Sequence, residues 1–208
     1  MNLKDLLKDL PINWFDVLVL VLLLVGWHRG RKRGMSVECV TMLNWVVVVL
    51  AAALVYQPMG DYLITLMPVS KLFAYIVCYL LVAGLVAGMF VLVKRSIGGK
   101  LAGSDTFGRA EYYLAMPAGV VRFTCILIAG LALLNARLYR QDEVKSMHNF
   151  QMDNYGSDFF LTPETVQAQV FQKSFLGPQI KKHLSFLLIA PTQPESRGLR
   201  RAEERSFP

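Results

Sequence analysis

The sequence is poor in the residues from which most enzyme and metal sites are built. Three cysteines (Cys39, Cys78 and Cys125) and three histidines (His28, His148 and His183) are scattered over 208 residues. The cysteines show no C-x-x-C spacing and no local histidine partner, which argues against a zinc site or redox pair. An odd number at dispersed positions gives no disulfide framework, so the thiols read as small, buried, mildly apolar side chains. No Ser/His/Asp arrangement stands out. The third connecting loop carries Gly98 and Gly103 at phosphate-loop spacing, but Ser104-Asp105 replaces the required Lys-Ser/Thr. These absences point away from an enzyme, and they imply no cofactor and no metal.

Charge is scarce too. Only 18% of residues are charged and 54% are hydrophobic, against roughly 25% and 45–50% in ordinary soluble domains. The apolar residues come in long blocks, and a membrane-spanning helix needs about 20 mainly apolar residues. Four blocks meet or approach that length, at about 12–27, 37–56, 69–93 and 112–138. The first is short, with Trp14 and Trp27 at its ends, where indole rings favour the headgroup level. Dense positive charge follows it rather than precedes it, and no A-x-A-like site comes after, so it reads as a retained helix rather than a signal peptide. Pro58, Gly60 and Asp61 are expected to end the second block. Lys94-Arg95 closes the third, and Pro117 is expected to kink the fourth. The expected fold is therefore all-α: a polytopic membrane protein with four transmembrane helices, short loops and a partly helical C-terminal region.

The flanks are different. Residues 1–10 place Leu3, Leu6, Leu7 and Leu10 at helical spacing, and read as an interfacial amphipathic segment or a frayed end. In the C-terminal region, 140–190, Thr162-Pro163-Glu164 has the chemistry of a helix start and Gly177-Pro178 that of a stop. Ile180 to Ala190 is apolar but too short to span, and is expected to lie on the membrane surface or on the helices. Residues 191–208 have the composition of a disordered tail.

Arg29, Arg31, Lys32 and Arg33 crowd the first loop, and Lys94, Arg95, Lys100 and Arg109 the third. The second loop has no Lys or Arg. Cytoplasmic loops carry the excess of these residues, so the odd loops are expected inside and both termini outside. Nucleic acid is a poor alternative, because the basic run is pinned between apolar blocks and lacks interleaved aromatics. Contact with anionic lipid fits the cluster better.

A few polar residues inside the blocks need partners. Arg122 stands on the order of 12–15 Å into the fourth span, and Asn44 about 10 Å into the second, at about 1.5 Å per residue. Glu38 lies nearer the cytoplasmic surface, within reach if Arg122 snorkels. Arg122 is therefore expected to pair with Asn44 and Glu38, or to snorkel to phosphate. Asp16 lies near the opposite surface, either hydrated there or capping or pairing inside the bundle. Gly84 and Gly88 form a G-x-x-x-G pair, which predicts close helix packing within the chain or between copies, with Ala51–Ala53 as a facing surface.

"NWFDVLVL", "RGRKRGMSVECVTMLNW", the glycine-rich loop leading to "GSDTFGR", and "AGVVRF" with Arg122 together resemble the CvpA family of bacterial inner-membrane proteins, named for colicin V production. "GPQIKKHLSFLL" loosely resembles the family's closing segment. The resemblance covers roughly residues 13–190, with Phe123 where the family tends to have Gly. It implies a multi-pass protein of the bacterial inner membrane, an accessory to colicin V production or export and linked to the envelope. It supplies no mechanism. Two other readings stand beside it: a small channel or transporter with Arg122, Asn44 and Asp16 along its path, and a scaffold docking an envelope or secretion partner through its C-terminal region. A homo-oligomer is compatible with each.

Overall fold

The structure, a computed structural model, describes residues 13–101, 110–139, 145–146, 149, 152–153 and 162–192. The amphipathic segment 1–10, the loop from 102 to 109 and the tail beyond Thr192 lie outside the described residues.

Helix α1 (Trp14–Arg33) begins at a capping box: the Asn13 side chain accepts from the Trp14 N–H at 2.7 Å, and the Asn13 N–H donates to Asp16 Oδ2 at 3.0 Å. It stops at Gly34, whose φ of 77° is one that residues with a Cβ rarely adopt. The Gly34 carbonyl then accepts from the Glu38 N–H, so α2 (Met35–Leu66) starts after a single turn residue. Pro58, Gly60 and Asp61 do not end this helix as the sequence led us to expect. Helix α3 (Lys71–Leu101) returns along α2; the Tyr75 ring lies over Gly60, and its hydroxyl donates to Asp61 Oδ1 at 2.8 Å. Tertiary contact thus carries α2 two turns past the proline. Helix α4 (Ala110–Asn135) runs unbroken through Pro117.

Helix order in space differs from order in the chain. The main contacts are α1 with α4, α4 with α2, and α2 with α3. Buried Tyr56, Tyr75 and Tyr79 interlock α2 and α3 edge to face. Only a narrow stripe of α1 is buried, at Phe15, Val19, Gly26 and Gly30.

Thr162 caps α5 (Pro163–Phe171), with proline in the first turn. Gly177-Pro178, expected to stop a helix, instead lies in the first turns of α6 (Leu176–His183). Gly177 is needed there because α5 and α6 cross closely: a Cβ at this position would run into the Val170 carbonyl oxygen. Val170, Phe171, Leu188 and Ile189 are buried in one cluster with Phe15, Tyr56 and Tyr75. The Asn135 amide donates to the Ile189 carbonyl, and the Ala190 N–H to the Tyr56 hydroxyl. The segment therefore caps the end of the bundle where α1 begins and α4 ends.

Among the described residues, three helices are long and apolar enough to cross a membrane: Val37–Leu66, Lys71–Ser96 and Tyr112–Asn135. The chain is an all-α, multi-pass membrane protein. The fourth expected span requires correction. Between Asp16 and Arg29, α1 carries an uncharged run of roughly 18 Å at about 1.5 Å per residue, against a hydrocarbon core of about 30 Å. Its N-terminal end is closed by α5 and α6 instead of continuing as apolar helix.

Candidate functional site

Gly34 sets the site. By restarting the helix at once, it places Glu38 in the first turn of α2, facing α4. Arg122 of α4 donates from Nη1 to Glu38 Oε1 at 2.7 Å. Glu38 is fully buried and the Arg122 side chain only 12% exposed. Arg33, at the end of α1, brings its own Nη1 to 3.7 Å from Glu38 Oε2 and remains 34% exposed. One buried carboxylate thus faces two guanidinium groups, one inside the bundle and one at its edge.

The balance is incomplete. Glu38 Oε2 and Arg122 Nε are buried without hydrogen-bond partners, since 3.7 Å is ion-pair distance rather than hydrogen-bond distance. The Arg122 guanidinium also lies 5.2 Å from the Phe123 ring centre. Chemically, the arrangement neutralises an arginine at membrane depth and fixes the register of α2 on α4 through a charge-assisted bond.

Asn44 is not part of this pair. No hydrogen bond joins it to Arg122; its Oδ1 is buried without a partner, and it lines an apolar recess of about 270 Å³ among α2, α3 and α4. Depth along the helix placed Asn44 near Arg122, but helical rotation turns it toward α3. Asp16 ends at the opposite side of the bundle from Arg122, where it accepts from the Phe175 and Leu176 N–H groups at 3.0 Å each. Beside it, Asn13 Nδ2 donates to the Gln169 carbonyl and Trp14 Nε1 to Gln169 Oε1. Asp16 therefore ties the start of α1 to the start of α6.

Within the chain, Gly84 and Gly88 do not form the close packing that was one of the two expected outcomes. A Cβ at either position would meet nothing within 4 Å, and both glycines are exposed. Close approach occurs at a different G-x-x-x-G. A Cβ on Gly26 would come within 2.9 Å of the Gly119 carbonyl oxygen, and one on Gly30 would strike that of Ala115. The α1–α4 seam is thus built from Gly26 and Gly30 against Ala115 and Gly119. The spacing was present in the sequence, but it overlaps the basic run and was read there as charge alone. Ala52 and Ala53 are buried in the core, while Arg29, Arg31 and Lys32 are exposed. Among the described residues, no group of three or more His, Cys, Asp or Glu side chains gathers as metal ligands.

A family model described as Colicin V production protein matches residues 15–153. No curated protein and no solved structure matches the chain. The matched stretch takes in α1 to α4 with Gly34, Glu38 and Arg122, and ends before α5. It spans well over half of the sequence, and the chain therefore belongs to the colicin V production protein family.

Proposed function

We propose that the chain is a non-enzymatic accessory of the bacterial inner membrane that supports production or export of colicin V and serves the envelope. The family match over the four long helices is the observation that carries this reading. The Glu38–Arg122 pair contributes a rigid α2–α4 unit on which such an accessory can be built. Both ends of the described chain belong to the same end of the bundle, because Asn13 and Asp16 bond to Gln169, Phe175 and Leu176. The cations expected in the first loop, Arg29, Arg31, Lys32 and Arg33, lie instead in the last turns of α1, and they favour that opposite end as the cytoplasmic one, with both termini in the periplasm.

The test uses a colicin V-producing host that lacks its own family member. Introducing this chain is expected to restore toxin release; absence of restoration at normal membrane abundance overturns the reading. Single cysteines at Lys32 and Ile64, labelled in whole cells, are expected to be protected and accessible respectively, and the reverse pattern overturns the orientation. A second reading, a small channel or transporter, draws on the unpartnered Asn44 Oδ1 and Glu38 Oε2. The apolar lining of the recess beside Asn44 counts against a water-filled path there. Robust Arg122-dependent solute flux in liposomes would replace the accessory reading with the channel.

A further inference from the structure

Two recesses are lined jointly by residues of α1 and α4. The first, about 700 Å³, is lined by Leu20, Leu23, Leu24 and Trp27 of α1 and Val120 of α4. Its far end is closed by Asp16 with Phe175 and Leu176. The second, about 550 Å³, is lined by His28, Arg31 and Lys32 of α1 and Tyr112 and Tyr113 of α4. Helical spacing joins them. Leu20, Leu24, Trp27 and Arg31 share one face of α1, and Tyr113 and Val120 share one face of α4. Gly26, Gly30 and Gly119 let the backbones meet behind these faces. The result is one groove, apolar along most of its length and cationic at the end away from the C-terminal cap.

We infer that this groove is a binding site for one anionic glycerophospholipid, with its phosphate between Arg31, Lys32 and the two tyrosines and its acyl chains along Leu20 to Trp27. Charge complementarity selects the occupant. Among the described residues no carboxylate forms an ion pair with Arg31 or Lys32, whereas Arg33 and Arg122 share Glu38. The groove also has the right depth. Leu20 to Arg31 covers roughly 16 Å along the helix at about 1.5 Å per residue, close to one leaflet of a core about 30 Å thick. Tyrosine at the boundary places a hydroxyl at phosphate level and a ring beside the first methylenes.

This site differs from general attraction to a charged surface. Arg29 and Arg33 line an adjoining recess with Leu24, Val25, His28 and Lys32, so Arg31 belongs to the groove, Lys32 borders both recesses, and Arg29 and Arg33 stand outside the groove. The inference does not rest on the toxin-export reading, and either can fail alone.

The experiment uses the full chain with Trp14→Phe and Trp45→Phe, leaving Trp27 as the only indole, in phosphatidylcholine bilayers. Brominated phosphatidylglycerol and brominated phosphatidylcholine are compared as quenchers of Trp27. We expect phosphatidylglycerol to be preferred roughly tenfold, the preference to fall to about one in Arg31→Gln/Lys32→Gln, and to persist in Arg29→Gln. Equal quenching by both lipids overturns the site. An equal loss in Arg29→Gln shows surface potential alone and also overturns it. Relief of quenching by inorganic phosphate identifies a free-anion site and overturns the lipid assignment.

Discussion

Helix α4 is held on its two sides by opposite devices. Toward α1, Ala115 and Gly119 meet Gly26 and Gly30 with almost no side chain between the backbones. Toward α2, Arg122 reaches a buried carboxylate. Helix α3 carries the same four-residue glycine spacing as α1, yet its Gly84 and Gly88 face open space. Spacing is therefore not what makes a seam. Gly26 and Gly30 pack because α4 offers small residues at the matching antiparallel positions, whereas α3 meets α2 through tyrosines on another face.

The strongest way to break this comparison is at the ion pair. Glu38→Ala strands Arg122 in a buried site and is expected to cost ~3–5 kcal/mol, read as thermal unfolding in detergent. Glu38→Leu with Arg122→Leu is expected to recover most of that loss, because a packed apolar pair needs no compensation. Failure to recover would mean that Arg33 or lipid is the more important partner. Next comes the cap. Asp16→Ala removes the acceptor of three backbone N–H groups and is expected to cost ~1.5–3 kcal/mol, with earlier proteolysis of residues 162–192.

The two glycine pairs give the sharper contrast. Gly30→Ala drives a methyl group into the Ala115 carbonyl, which cannot swing aside, and is expected to cost ~1–3 kcal/mol. Gly84→Ala adds a methyl group to open space and is expected to change monomer stability by less than ~0.5 kcal/mol. If Gly84→Ala instead lowers the oligomeric state seen by light scattering, the α3 stripe serves copies of the chain rather than the fold. Comparable unfolding shifts for Gly30→Ala and Gly84→Ala in the monomer would remove the distinction between the seams.

Much of the membrane topology was legible because it depends on local quantities. Long, strongly apolar runs mark Val37–Leu66, Lys71–Ser96 and Tyr112–Asn135 as spans whatever packs against them. Counting 1.5 Å per residue put Arg122 and Glu38 at reachable depths. Depth without rotation then misplaced Asn44, since a helix turns about 100° with each residue and only the packed neighbours reveal which side is inward. Helix ends at Pro58 and Gly177 were misread for a related reason: Tyr75 on Gly60 and Val170 on Gly177 are contacts between segments.

By itself, the sequence determined the helical, lipid-embedded character of the chain and the uneven distribution of cations. Each follows from hydrocarbon thickness or charge along a continuous stretch. Only the tertiary structure decided that α4 lies between α1 and α2, that Gly26 and Gly30 form the close seam, and that Arg33 and Arg122 converge on one carboxylate. Those outcomes depend on how helices far apart in the chain rotate and pair, and an apolar block that is greasy on all sides carries little periodicity to announce its partner.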